Sequence, residues 1–180
     1  SESYTGNAEI ATVFSSITDY AALLTDGRVV TWGYTTDNSW PDHVSPFSQV
    51  DRLFSNLFAF AAVYTNNTLA DAWGSKDKGG VAPVGGVDNI DRIFSTDRAF
   101  CALHLNGDVT VWGHADFGGT LAPHRAPTHV VSVESTKDAF AALQSDGKVV
   151  TWGNEDNGGM LGTNLTQVRV LASTSQAFAA

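Results

Sequence analysis

One cysteine, Cys101, occurs in 180 residues. An internal disulfide framework is therefore excluded. Cys101 takes the place of an Ala in a repeated phrase and reads as a small buried residue. Basic residues are scarce: four Lys and six Arg stand against nineteen Asp and Glu, for a formal net charge of −9. Gripping the phosphates of a nucleic acid needs a basic face, so nucleic acid and anionic membrane surfaces are excluded as partners. No apolar run approaches the ~18–20 residues needed to span a bilayer as a helix. Membrane insertion is not expected. There is no initiator Met and no signal-peptide pattern at Ser1. The chain is expected to be processed, trimmed or excerpted from something longer.

Catalytic signatures are missing as well. No G-x-S-x-G, H-E-x-x-H, C-x-x-C or G-x-x-x-x-G-K-[ST] occurs. The histidines are His43, His104, His114, His124 and His129. Only His124 and His129 are close, across a Pro-containing loop, and they read as solvated loop residues rather than metal ligands. No catalytic residue, cofactor or metal is expected, and the chain reads as a non-enzyme.

What the sequence does contain is a repeat. Trp-Gly pairs fall at Trp32-Gly33, Trp73-Gly74, Trp112-Gly113 and Trp152-Gly153, spaced 41, 39 and 40 residues apart. An aromatic before a small-residue pair recurs at Tyr20, Phe60, Phe100, Phe140 and Phe178. Five residues before each lies Ser15, Ser55, Ser95, Ser135 or Ser173. The register divides the chain into units of approximately 8–47, 48–87, 88–127 and 128–165, with a partial fifth at 166–180, in one repeat domain over 1–180.

Within a unit, Asp146-Gly147 predicts a two-residue hairpin loop between β-forming runs. Asp26-Gly27 and Asn106-Gly107 do the same, and Asn66-Asn67 stands in for them in the second unit. That loop length would pair Leu143 with Val150, Ala141 with Trp152 and Phe140 with Gly153. Both faces of such a hairpin are largely apolar, so it should be covered on both sides, and its alanines suggest close approach between sheets. Stacked blades of a β-propeller meet that description. The fold class is therefore all-β, with about four ~40-residue blades plus a partial fifth. Trp32, Trp73, Trp112, Trp152, Phe60, Phe100 and Phe140 are its expected core. Residues 166–180 align with 8–22, so both ends supply the same strands. The chain is expected not to close as an isolated monomer, but to form an arc of a larger propeller or an assembling array.

The remainder of each unit is loop. Asp37, Asp77, Asp116 and Asp156 recur after the Trp residues. Their spacing fits no calcium loop, and they read as turn caps. Trp40 stands where other units have Gly. Beside Pro41 and His43 it is a candidate contact for a partner or sugar, with His43 and Phe117 as weaker candidates. Asn66 and Asn164 each open an N-x-[ST] sequon in an expected turn or loop and are candidate N-glycosylation sites.

The alanine-rich strand, the D-G turn and the V-x-x-W-G that follows, as in residues 139–153, resemble the regulator-of-chromosome-condensation repeat family. The resemblance covers nearly the whole chain and recurs four times. The short period is most similar to bacterial and protist members, including a secreted β-lactamase-inhibitor propeller. It implies a propeller, seven-bladed as a rule, and a role as an interaction platform. It assigns no residue to a site. The reading is a non-catalytic interaction or structural module of a surface or secreted protein, with a cytoplasmic location as the alternative. Its partner would be a protein or other copies of itself. The alternatives are an enzyme-capping inhibitor, a carbohydrate-binding adhesin module taking a glycan, and a small-GTPase regulator.

Overall fold

A computed structural model describes residues 8–33, 48–122, 125–160 and 165–180. Its regular structure is β-strand, with single 3-10 turns in the loops. β1 (Ile10–Ser15), β2 (Asp19–Leu24) and β3 (Val29–Gly33) form the first antiparallel blade. The second comprises β4 (Val50–Ser55), β5 (Ala59–Tyr64) and β6 (Leu69–Gly74). The third comprises β7 (Ile90–Ser95), β8 (Ala99–His104) and β9 (Val109–Gly113). The fourth comprises β10 (Val130–Ser135), β11 (Ala139–Gln144) and β12 (Val149–Gly153). β13 (Ala172–Ser173) and β14 (Phe178–Ala179) pair as a short fifth sheet.

The hairpin register differs by one residue from the expectation. Gln144 N–H donates to the Lys148 carbonyl at 2.8 Å, and Gly147 N–H to the Gln144 carbonyl at 2.9 Å. The loop is thus three residues, Ser145-Asp146-Gly147, with Gly147 left-handed at φ 80°. This is a type I turn closed by a glycine bulge, which a D-G pair serves as well as it serves a two-residue loop. Leu143 consequently faces Val149, Ala141 faces Thr151, and Phe140 faces Trp152. The shift places Phe140 and Trp152 on one face, stacked with centroids 5.4 Å apart. In the second blade a backbone bulge absorbs the extra residue: Ala62 pairs with Asp71 and Val63 with Leu69.

Each blade now has two distinct apolar faces. One carries the Phe and Trp, the other a ladder of small residues. The second blade sets Phe60, Ala62 and Trp73 against Ala21, Leu23 and Val29 of the first. The third sets Phe100, Ala102 and Trp112 against Ala59, Ala61 and Val63. The fourth sets Phe140, Ala142 and Trp152 against Ala99, Cys101 and Leu103. Alanine on the receiving face lets the large rings approach the neighbouring sheet. A buried Trp removes roughly 150–250 Å² from water, worth about 4–6 kcal/mol at roughly 25 cal/mol per Å². In the third and fourth blades the indole N–H is also satisfied across the joint. Trp112 donates to the Gly79 carbonyl at 3.1 Å and Trp152 to that of Gly118 at 3.2 Å.

Trp32 departs from its expected core position. It is 46 % exposed, as is Tyr20, while Trp73, Trp112 and Trp152 are buried. The residue types are right, but none of the described blades lies against that face of the first sheet.

The blades fan around their first strands. β1, β4, β7, β10 and β13 pack side by side. At one end the turns that follow them join in a chain of backbone bonds: Ile17 to Leu57 (2.9 Å), Leu57 to Asp97 (3.3 Å), Asp97 to Lys137 (2.7 Å) and Lys137 to Ser175 (3.1 Å), each N–H donating to the next carbonyl. The repeated serines line an open cavity of about 600 Å³ beside these turns.

Candidate functional site

Two surfaces stand out, and neither is a cleft with convergent chemistry. The first is the uncovered face of the opening blade. Tyr20 and Trp32 stack at 5.5 Å, with planes 14° apart. Ile10, Val13 and Ile17 are also exposed. Phe60–Trp73, Phe100–Trp112 and Phe140–Trp152 form the same stack at 5.7, 5.3 and 5.4 Å, each buried under the preceding blade. The opening blade therefore presents uncovered the same stack that the other three blades bury.

The second surface runs along the turn end of the second and third blades. Phe58 and Arg98 close the turns before β5 and β8, and a 3-10 turn follows each third strand, at Lys76–Lys78 and Ala115–Phe117. Lys78 Nζ lies 3.7 Å from the centroid of Phe58. The Arg98 guanidinium carbon lies 4.5 Å from the Phe117 ring and 5.5 Å from the Phe58 ring. The His114 ring meets Phe117 edge-on at 5.2 Å. Cations over ring faces gain from the ring quadrupole, and the contact orders their long stems. Next to this strip, burial holds the Asp97 carboxyl above its ordinary range, and the nearby Asp138 carboxylate adds to the effect.

The sequence candidates divide between these places. Phe117 is half-buried and belongs to the second surface. Trp40, His43 and Asn164 lie outside the described residues, as does His124. Asn66 sits on the exposed β5–β6 loop, where its side-chain oxygen accepts the Thr68 N–H at 3.1 Å. His104 is engaged on both ring nitrogens, with the Asp88 carbonyl at 2.7 Å and the Thr110 hydroxyl at 2.8 Å. Burial raises the Cys101 thiol far above its ordinary value.

Of the recurrent Asp residues, Asp37 lies outside the described residues and the other three are not caps. Asp77, Asp116 and Asp156 sit at the middle of the 3-10 turns, exposed. The cap position belongs to Ser75, His114 and Asn154, and of these Asn154 accepts a bond, from the Asp156 N–H at 3.0 Å. Among the described residues, no group of three His, Cys, Asp or Glu could hold a metal ion, and no helix is long and apolar enough to cross a membrane. Phe58, Arg98 and Lys78 were not singled out by sequence. The available signal was variation: Thr18, Phe58, Arg98, Asp138 and Gln176 occupy one repeat position, two residues before the repeated aromatic.

No family model and no curated protein sequence matches the chain. Solved structures do. Prp20p of Saccharomyces cerevisiae is 17 % identical with a TM-score of 0.57, over 83 % of this chain and 44 % of that one. Human WBSCR16 is 16 % identical with a TM-score of 0.57, over 92 % and 55 %. The CRINKLY WD40 ectodomain of the Arabidopsis thaliana receptor kinase ACR4 is 19 % identical with a TM-score of 0.56, over 89 % and 56 %. The chain spans about half the length of these proteins. At such identities the likeness establishes the fold alone: the chain is a partial β-propeller of RCC1-like architecture.

Proposed function

We propose that this chain is a non-catalytic protein-interaction and structural module, an arc of propeller blades that receives a further blade on its open first face. The observation that carries this reading is the Tyr20–Trp32 stack, 46 % exposed at both residues where its three counterparts are buried. Another copy of the chain offers Ala177 and Ala179 on its fifth sheet, at the repeat positions of Ala59 and Ala61 that receive Phe100 and Trp112 in the third blade. Head-to-tail contact of this kind builds a ring or filament according to whether the rotation closes. An interaction role agrees with the relatives in fold: the Prp20p structure is described together with that protein's binding to Gsp1p and histones. A surface or secreted setting goes with the same reading, and a glycopeptide at Asn66 would support it.

Light scattering over a concentration series tests the proposal. The expected result is reversible association of the native chain, abolished in Trp32→Glu. A strictly monomeric native particle at high concentration would sink it.

A further inference from the structure

Two of the variable repeat positions face each other across the turns. One is the last residue of the turn between a blade's first and second strands: Phe58, Arg98 and Asp138 in the second, third and fourth blades. The other is the last residue of the 3-10 turn after the third strand: Lys78, Phe117 and Asn157. In each of these three blades the two side chains meet. Lys78 lies over Phe58, Arg98 lies over Phe117, and the Asn157 amide donates to Asp138 Oδ2 at 2.8 Å. The Phe, Trp and Gly-Gly positions keep their residue types because blades pack through them. This pair changes from ring–cation to cation–ring to carboxylate–amide, so blade packing does not dictate it.

The three pairs differ in what they leave over. In the fourth blade the Asp138 carboxylate is answered by Asn157 and by Lys137 Nζ at 3.7 Å. In the second and third blades a ring orders the cation but accepts no hydrogen bond in the plane of its donors. Among the described residues the Arg98 guanidinium and the Lys78 ammonium make no hydrogen bond to a carboxylate or carbonyl, and the Asp97 carboxylate acts on Arg98 only through space. Arg98 also reaches Phe58, so both pairs join in one strip, and Leu57, 39 % exposed, extends it toward the cavity. An Arg whose stem is already ordered loses little side-chain freedom on binding, and Arg beside aromatic rings is the common composition of an interface anchor. The net charge of −9 repels a long polyanion, and Asp77, Asp97 and Asp116 stand in the same turns. A single carboxylate fits where a run of negative charge does not.

We propose that the strip Lys78–Phe58–Arg98–Phe117 is a docking site for one carboxylate of a partner protein, an Asp or Glu side chain flanked by an apolar residue. Arg98 takes the carboxylate through two parallel N–H···O bonds. Lys78 adds a second positive charge, and the flanking apolar side chain covers Phe58 and Leu57. This rests on the reading of the chain as an interaction module and names the chemistry of one partner contact.

The test is fluorescence anisotropy of the full chain with a labelled, C-terminally amidated heptapeptide, Gly-Leu-Gln-Leu-Glu-Leu-Gly, and with its counterpart in which Gln replaces the Glu. The expected result is saturable binding of the Glu peptide. It should weaken roughly tenfold or more for the Gln peptide and for Arg98→Ala, the size of one or two charge-assisted hydrogen bonds. Arg98→Lys keeps part of the affinity, because a point cation replaces the fork. Asp138→Ala, at the same repeat position in the fourth blade, leaves it unchanged. Thermal melts confirm that each variant retains the fold. Three results overturn the proposal: no saturable binding of the Glu peptide, equal binding of the two peptides, or full affinity in folded Arg98→Ala. An oligothymidylate that displaces the Glu peptide at equal concentration overturns it too, in favour of nucleic acid. Light scattering of the same samples reads the blade-face association separately, since Tyr20 and Trp32 take no part in the strip.

Discussion

Gly118 lies so close to the ring of Phe140 that a Cβ built on it would fall 2.6 Å from Cδ2. The same residue is left-handed at φ 86° and caps the 3-10 turn before it. Its carbonyl accepts the Trp152 indole N–H. One backbone residue therefore ends a turn, forms the floor under the next blade's Phe and fixes the next blade's Trp.

Gly118→Ala should accordingly cost more than conformation alone. The left-handed backbone accounts for about 1–2 kcal/mol, and the contact with Phe140 adds to it. Gly85 is the control: its φ is 96°, and nothing lies within 4 Å of an added Cβ. Denaturant melts of the two Ala variants should separate them clearly. Equal losses would show that the Phe140 contact relaxes freely.

The two classes of Trp should also separate. Trp152→Ala deletes a buried ring and should cost ~3–5 kcal/mol. Trp32→Ala removes a half-exposed ring and should cost no more than about 2 kcal/mol. A Trp152 loss below about 1 kcal/mol in urea melts would contradict its place between the third and fourth blades.

The contrast between Trp32 and Trp152 also shows what the sequence can convey. The two residues stand in nearly identical phrases, so pattern alone places both in a core. Burial depends on a neighbouring blade, and a local phrase does not say whether one is there. The hairpin register failed for a different reason. Asp146-Gly147 suits both a two-residue loop and a three-residue loop with a bulge, and the choice moves Phe140 from Gly153 to Trp152. The period, the blade count and the doubly covered sheets were legible because spacing and alternation carry them directly. The Phe58–Arg98–Phe117 strip was not, because it joins residues of different blades at turn positions whose residue types differ from unit to unit.

Cys101 should be chemically silent while the fold is intact. It is fully buried against the fourth blade, and burial suppresses the thiolate, which is the reactive form. Labelling with a thiol reagent should proceed at the rate of blade opening, and it should accelerate with urea in step with unfolding. Stoichiometric labelling within the dead time of mixing, in the absence of denaturant, would refute the packing of the third blade on the fourth.

Asp97 predicts a specific pH dependence. Burial raises its folded-state pKa first, and the Asp138 carboxylate raises it further. Lys137 and Arg98 pull the other way without cancelling the shift. A folded pKa above the unfolded value means that the native state binds the proton more tightly. The stabilising contribution is then complete below the ordinary carboxyl value of 3.8 and is lost as pH rises through the raised value. Above that window the ionised group is a net cost to the fold. Asp97→Asn should therefore be more stable than the native chain at neutral pH, with the advantage shrinking to nothing as the pH falls below 3.8. Asp26 and Asp146 are held below their ordinary range by Arg28 and Lys148, and so act in the opposite sense. The variant retains them, so they cancel in the difference between the two proteins. Arg98→Ala removes one of the two lowering influences and should widen the Asp97→Asn advantage. Thermal melts of the native chain, both single variants and the double variant across this pH range measure that coupling. An advantage for Asp97→Asn that grows toward acid pH would reverse the sign and refute the assignment.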